Sequence, residues 1–219
     1  MKLQLANDLI EKEKFFNVLK KTSDFIDIIE VGTPALLKNG ISLVKLTKEL
    51  FSKHKILADT KIIDAGFLEA KIAFEAGADI ATVLLSASTI TIEQSFEAAK
   101  KYNSSIMIDT IGLEKIENLR KLETIKYTGS IFICLHTPSD ISMTKTSDQV
   151  SKIKKEVQYV REILPDAVIA IAGGISLNTI DFFLLDVVPD IIVVGRSIYN
   201  SPDIFGTAKA IRKKMEVPK

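Results

Sequence analysis

The sequence predicts a single-domain (β/α)8 TIM barrel over residues 1–219, and three observations predict it. Eight short β-type runs alternate with helix-type patterns, and no Pro/Gly/Ser-rich linker interrupts them. Polar residues follow the ends of most of those runs, and a closed barrel gathers such ends at one mouth. Glycine turns follow the seventh and eighth runs, where barrels bind phosphate. A doubly wound open sheet competes, but it would use fewer strands and place its ligand at one switch point.

Composition narrows the function classes. The chain is 47% hydrophobic and 26% charged, ordinary for a globular domain with a sizeable core. With 29 basic against 28 acidic residues, no broad field attracts nucleic acid or a membrane, although a small anionic ligand remains open. The single cysteine, Cys134, lies in the apolar run Ile131 to Leu135; it excludes an intramolecular disulfide, suits a reducing compartment and reads as core. The opening Met1 to Asp8 is too short and polar for a signal peptide, and no apolar stretch approaches a membrane span. The expected location is cytoplasmic.

The units follow in order. A strand at 2–8 ends in Asp8 and precedes a helix at 11–22. A strand at 26–31 carries Glu30 and precedes a helical pattern at 35–52. The third strand, 55–60, runs from Lys55 through Ala58 into Asp59-Thr60-Lys61. Strand alternation puts Asp59 and Lys61 on one side and Thr60 on the other, so the two charges share a cavity. Asp64 follows, and Gly66 opens a helix at 66–77 with Leu68, Ile72, Ala73 and Ala76 as its apolar positions. The fourth strand, 79–85, leads into Ser86-Ala87-Ser88, read as a plain loop, and a helix at 89–102. The fifth, 104–109, ends in Asp109 before a helix at 113–125. The sixth, 130–135, is followed by His136, by the longest βα connection, Thr137 to about Asp148, and by a helix at 149–163. That polar connection is a candidate lid. The seventh, 167–172, meets Gly173-Gly174 and a helix at 176–185; the eighth, 190–194, meets Gly195-Arg196 and a helix at 203–215. His54 sits in a lysine-flanked loop on the opposite face and reads as surface.

The mouth residues carry recognisable chemistry. Paired glycines at a strand-to-helix turn let backbone N–H groups approach an anion, and Arg196 adds a permanent charge with forked donors, so Gly173, Gly174, Gly195 and Arg196 form a phosphate site. Glu30 and Asp59, on adjacent strands, offer hard oxygens suited to Mg²⁺, although Glu30 would serve equally as a structural carboxylate. His136 titrates in the range that suits proton transfer. Asp8 and Asp109 stand where substrate hydroxyls would bind, with helix capping as the plainer reading.

The string Asp59-Thr60-Lys61-Ile62-Ile63-Asp64-Ala65-Gly66 resembles the D-T-K-x-x-D-A-G signature of the 3-hexulose-6-phosphate synthases and 3-keto-L-gulonate-6-phosphate decarboxylases, in the orotidine monophosphate decarboxylase superfamily. Leu5 to Leu9, Glu30 to Pro34 and Asp109 to Gly112 resemble that group's L-A-x-D-x, E-x-G-T-P and D-x-I-G segments, so the resemblance runs from Asp8 to Arg196. It implies Glu30 and Asp59 as ligands of Mg²⁺, Lys61, Asp64, His136 and Asp59 itself as catalytic residues, and a homodimer in which Asp64 enters the partner's site. The decarboxylases carry an arginine three positions after the histidine, and synthases read H-T-G-x-D. Here stands His136-Thr137-Pro138-Ser139-Asp140, with no arginine and with Pro138 departing from both patterns. Asp109 also resembles the synthases, since the decarboxylases tend to have glutamate there. The implied reaction is aldol condensation of formaldehyde with a phosphorylated pentulose, D-ribulose 5-phosphate, through an ene-diolate, with decarboxylation as the alternative.

Overall fold

The computed structural model describes residues 1–127, 130–138 and 147–216. Eight parallel strands close into one barrel in sequence order: β1 Lys2–Asn7, β2 Ile28–Val31, β3 Lys55–Ile62, β4 Ile80–Leu84, β5 Ser105–Asp109, β6 Phe132–His136, β7 Val168–Ala172 and β8 Ile191–Val194. Helices fill the outer ring: α1 Lys12–Thr22, α2 Thr33–Asn39, α3 Ser42–Leu50, α4 Gly66–Glu75, α5 Thr89–Tyr102, α6 Ser147–Ile163, α7 Ile180–Phe182, α8 Arg196–Tyr199 and α9 Ile204–Glu216.

Four expectations need correction. The pattern at 35–52 is two helices, because Gly40 takes φ +71 and ends α2 through its N–H on the Leu36 carbonyl. The segment expected as a helix at 113–125 is a 3₁₀ helix, Ile116–Thr124, whose buried Leu119 and Leu122 are three apart, the spacing that a three-residue turn aligns. The helix expected from 176 starts at Ile180, because Ser176–Thr179 is a turn in which the Ser176 N–H donates to Thr179 Oγ1. A π-helical turn, Phe183–Val187, then continues it. Finally, β3 runs two residues past its expected end, to Ile62. Most of the predicted lid, Ser139 and Asp140 included, lies outside the described residues.

Two apolar layers hold the barrel. One lies between strands and helices and buries Phe15, Leu19, Ile56, Ile62, Phe183 and their neighbours. The other fills the barrel interior with alternate strand residues: Ile28, Leu57, Ile80, Met107, Cys134, Ala170 and Ile191. Cys134 is therefore core, as read. Because side chains alternate with period two, the next inward position toward the mouth is Glu30, Asp59, Thr82, Asp109 or His136. On β2 to β6 one parity thus gives an apolar floor and a polar mouth, whereas the same positions of β7 and β8 are Ala172 and Val193.

Candidate active site

A cavity of about 430 Å³ opens at the C-terminal ends of the strands. Its wall includes Asp8, Glu30, Asp59, Lys61, Asp109, His136, Gly173, Gly174, Gly195 and Arg196, every residue expected at the site except Asp64. Asp64 is exposed at the turn between β3 and α4, outside the cavity of its own chain.

Lys61 is the hub. Its Nζ lies 2.7 and 2.9 Å from the two Asp59 oxygens and 3.4 Å from Asp109 Oδ2. Burial works against its charge, but Asp59 and Asp109 outweigh that and hold its pKa above the ordinary lysine range. The ammonium is permanent at neutral pH. The geometry does not arise from plain alternation, because Lys61 has φ +48 and β3 shifts register against β4 between Ala58 and Ile62. Asp59 and Lys61 meet across a bulge.

Asp109 joins Lys61 to His136. Its carboxylate lies 3.0 Å from His136 Nδ1 and accepts the Ile111 N–H at 2.8 Å. Burial alone would raise its pKa, yet the bond and charge of His136, followed by Lys61, hold it below the usual range. An ionised carboxylate only accepts, so the Nδ1 proton belongs to His136 and its Nε2 is left for chemistry. Asp109 also caps its own turn through the Ile111 N–H, which is the plainer of its two readings.

The acidic side of the mouth holds Asp8, Glu30 and Asp59. Burial, then Asp59 and Asp8, push Glu30 well above the ordinary carboxylate range, although Gln4 Nε2 donates to it at 2.6 Å. Burial and Asp59 also raise Asp8. Among the described residues Gln4 Oε1 is buried with no hydrogen-bond partner. Crowded, desolvated oxygens with one ammonium among them fit a hard divalent cation. A softer set, Asp109, Cys134 and His136, has donor atoms within 4.8 Å of one another. His136 Nδ1 is already engaged by Asp109 there, and burial followed by Asp109 raises the Cys134 thiol, so that set favours proton handling over a metal.

The glycine turns after β7 and β8, expected to hold phosphate, line the rest of the cavity. Gly173 and Gly174 take φ +101 and +61, and a Cβ on Gly173 would collide with the Thr137 carbonyl. The Ser197 hydroxyl donates to the Ile175 carbonyl, tying the β7 turn to the β8 turn that carries Gly195 and Arg196. The β7 turn precedes the Ser176–Thr179 turn rather than a helix, so its amides act without a following helix dipole.

Sequence reading missed four contributors. Thr33 Oγ1 donates to Asp59 Oδ2 at 2.7 Å, Thr82 Oγ1 to Asp59 Oδ1 at 2.9 Å, and Gln4 to Glu30; Tyr199 Oη lies 3.4 Å from Asp8. Strand four, read as silent, supplies Thr82, while Ser88 caps α5 through the Thr91 N–H. Inward parity with Ile80 was the available signal for Thr82. His54, read as surface, is half-buried, with Nε2 2.9 Å from the Ser23 carbonyl.

Comparison with known proteins finds relatives along the whole chain and solved structures of the same fold. A family model described as "Orotidine 5'-phosphate decarboxylase / HUMPS family" matches residues 1–211. A 3-hexulose-6-phosphate synthase of Bacillus subtilis is 36% identical over 97% of this chain and 98% of its own. The crystal structure of 3-hexulose-6-phosphate synthase from Salmonella typhimurium superposes with TM-score 0.86 at 33% identity, covering 98% of both chains. A crystal structure of KGPDC from Streptococcus mutans gives TM-score 0.85 at 26% identity, covering 98% of this chain and 97% of the other.

Proposed function

The chain belongs to the orotidine 5'-phosphate decarboxylase / HUMPS family, and from that premise we propose that it is a Mg²⁺-dependent 3-hexulose-6-phosphate synthase. It condenses formaldehyde with D-ribulose 5-phosphate to D-arabino-3-hexulose 6-phosphate, reversibly. The observation that carries this reading is the Lys61–Asp109–His136 chain, a cation joined through one carboxylate to a proton-transfer base in a cavity with a phosphate-type mouth.

Gly173, Gly174, Gly195 and Arg196 anchor the substrate phosphate and so fix the far end of the sugar. His136 Nε2 takes the C1 proton, leaving an ene-diolate whose charge lies beside the Lys61 ammonium. The C1 carbanion attacks formaldehyde, one C–C bond forms, and the aldehyde oxygen becomes a hydroxyl with the returned proton. Glu30 and Asp59 would hold Mg²⁺, which supplies Lewis-acid polarisation of the ketose oxygens, an effect of several kcal/mol in general. Asp8, on the cavity wall, would orient substrate hydroxyls.

The reading extends to a homodimer in which Asp64 serves the partner's site. Its support is the exposure of Asp64 beside exposed apolar Ile63, Leu68 and Ile72, a surface that suits burial against a second copy. The competing activity is decarboxylation of 3-keto-L-gulonate 6-phosphate. The absence of an arginine after His136 argues against it. Steady-state assays decide: purified protein with Mg²⁺ should consume formaldehyde only when ribulose 5-phosphate is present, and chelation should abolish turnover. A kcat/KM larger for decarboxylation than for condensation would reverse the assignment.

A further inference from the structure

The bulge that brings Asp59 and Lys61 together is organised by one residue of the neighbouring strand. In the β3–β4 pairing Ala58 faces Ala81 and Ile62 faces Val83, so three residues, Asp59, Thr60 and Lys61, stand opposite Thr82 alone. Thr82 bonds to all three. Its Oγ1 donates to Asp59 Oδ1 at 2.9 Å and accepts the Lys61 N–H at 2.9 Å, and its carbonyl accepts from Thr60 Oγ1 at 2.9 Å. The polarity is forced: a backbone N–H only donates, so the single Thr82 proton is free to go to the carboxylate.

The Lys61 backbone has φ +48, a left-handed conformation costing a non-glycine residue roughly 1–2 kcal/mol. It persists only where neighbours over-determine it, and the described bond to the buried Thr82 hydroxyl does so here. We propose that Thr82 is a positioning residue for catalysis, whose hydroxyl fixes the Lys61 backbone and the Asp59 carboxylate together and so sets where the Lys61 ammonium meets the reacting carbons. The inference rests on the aldol reading above.

The test is a pair of variants in the full-length protein, assayed with formaldehyde, ribulose 5-phosphate and Mg²⁺. Thr82→Val keeps shape and loses both hydroxyl bonds; Thr82→Ser keeps them and loses a methyl. Displacing a catalytic group by about 1 Å costs on the order of 10²-fold, so Thr82→Val should lower kcat roughly 30-fold or more. Its KM for the phosphosugar should stay within about threefold, because the phosphate turns belong to other strands, and Thr82→Ser should retain most of kcat. A Thr82→Val enzyme with wild-type kcat overturns the inference, as does a folded Thr82→Ser enzyme that loses kcat as Thr82→Val does. If Thr82→Val fails to fold, Thr82→Ala, which also removes the hydroxyl, takes its place with the same two outcomes. An inactive wild type would count against the aldol reading, whereas an active wild type with an indifferent Thr82 counts against this inference only.

Discussion

Asp109 engages Nδ1 of His136, and in the proposed reaction that leaves Nε2 to face the substrate. With an ionised Asp109 beside Nδ1, Nε2 of the neutral ring is a base; with asparagine at 109 the amide can donate as well as accept, and the tautomer is no longer imposed. Asp109→Asn should therefore lower kcat on the order of 10²-fold with little change in KM, measured by steady-state kinetics at neutral pH. An unchanged kcat would remove Asp109 from proton transfer. In the proposed reaction Arg196 serves the other end of the substrate. Arg196→Ala should raise KM about tenfold or more, since a charge-assisted contact contributes roughly 1.5–3 kcal/mol, with a smaller loss of kcat. An unchanged KM would exclude Arg196 from the phosphate site. Lys61 and His136 were legible as residues because they end apolar runs. The left-handed turn at Lys61 was not, because no glycine or asparagine marks it and the bond that holds it comes from Thr82.

Strands need anchoring at the face opposite the site, and one device does this three times. Asp27, Asp79 and Asp190 each precede an even-numbered strand and accept the N–H of the second residue of the preceding strand, from Leu3, Ile56 and Ile169, at 2.7, 2.8 and 2.8 Å. Each also takes a cation from the outer ring: Arg212 at 2.6 Å, Lys48 at 2.7 Å and Arg161 at 2.8 Å. The register of β5 and β6 puts Ile131 at the corresponding position, so that quarter does without it. Burial would raise the Asp79 pKa, but the Lys48 bond and the Ile56 N–H hold it below the ordinary value. A carboxylate with a depressed folded pKa binds fewer protons folded than unfolded. Its stabilisation is therefore present above the unfolded pKa of about 3.9 and is lost as pH falls through the folded one. Asp79→Asn should cost about 1–2 kcal/mol at pH 7, and the gap from wild type should shrink below about pH 4. Denaturant titration at the two pH values checks it, and a gap that grows in acid would contradict the sign. The repeated Asp-Ile start was visible in the sequence, but its backbone partners lie 21, 23 and 24 residues away, beyond any local pattern. Local patterns did give the strands to within two residues, whereas 113–125 was read as α-helical because its apolar spacing suits a 3₁₀ turn nearly as well.

For the whole molecule, closure is what turns scattered strand ends into one site. The order of eight units was readable because each strand and helix carries its own period; the cavity was readable because parity carries from the apolar floor to the polar mouth. Assembly was not, since Asp64 lies outside its own cavity and only resemblance pointed to a partner. If Asp64 is shared, subunits carrying Lys61→Ala and Asp64→Asn should complement, because their mixed dimer has one intact site. Equal mixtures exchange to about half mixed dimers, so about a quarter of wild-type activity should return, read after heterodimers are confirmed by mass spectrometry. No recovery would refute the shared site. The central claim is carbon–carbon bond formation at C1 of a pentulose phosphate, and its most direct measurement is ¹³C NMR with labelled formaldehyde, unlabelled ribulose 5-phosphate and Mg²⁺. The account predicts that the label becomes the terminal hydroxymethyl carbon of a 3-hexulose 6-phosphate, coupled to nothing labelled. Formaldehyde left unincorporated by an enzyme that releases carbon dioxide from 3-keto-L-gulonate 6-phosphate would contradict it.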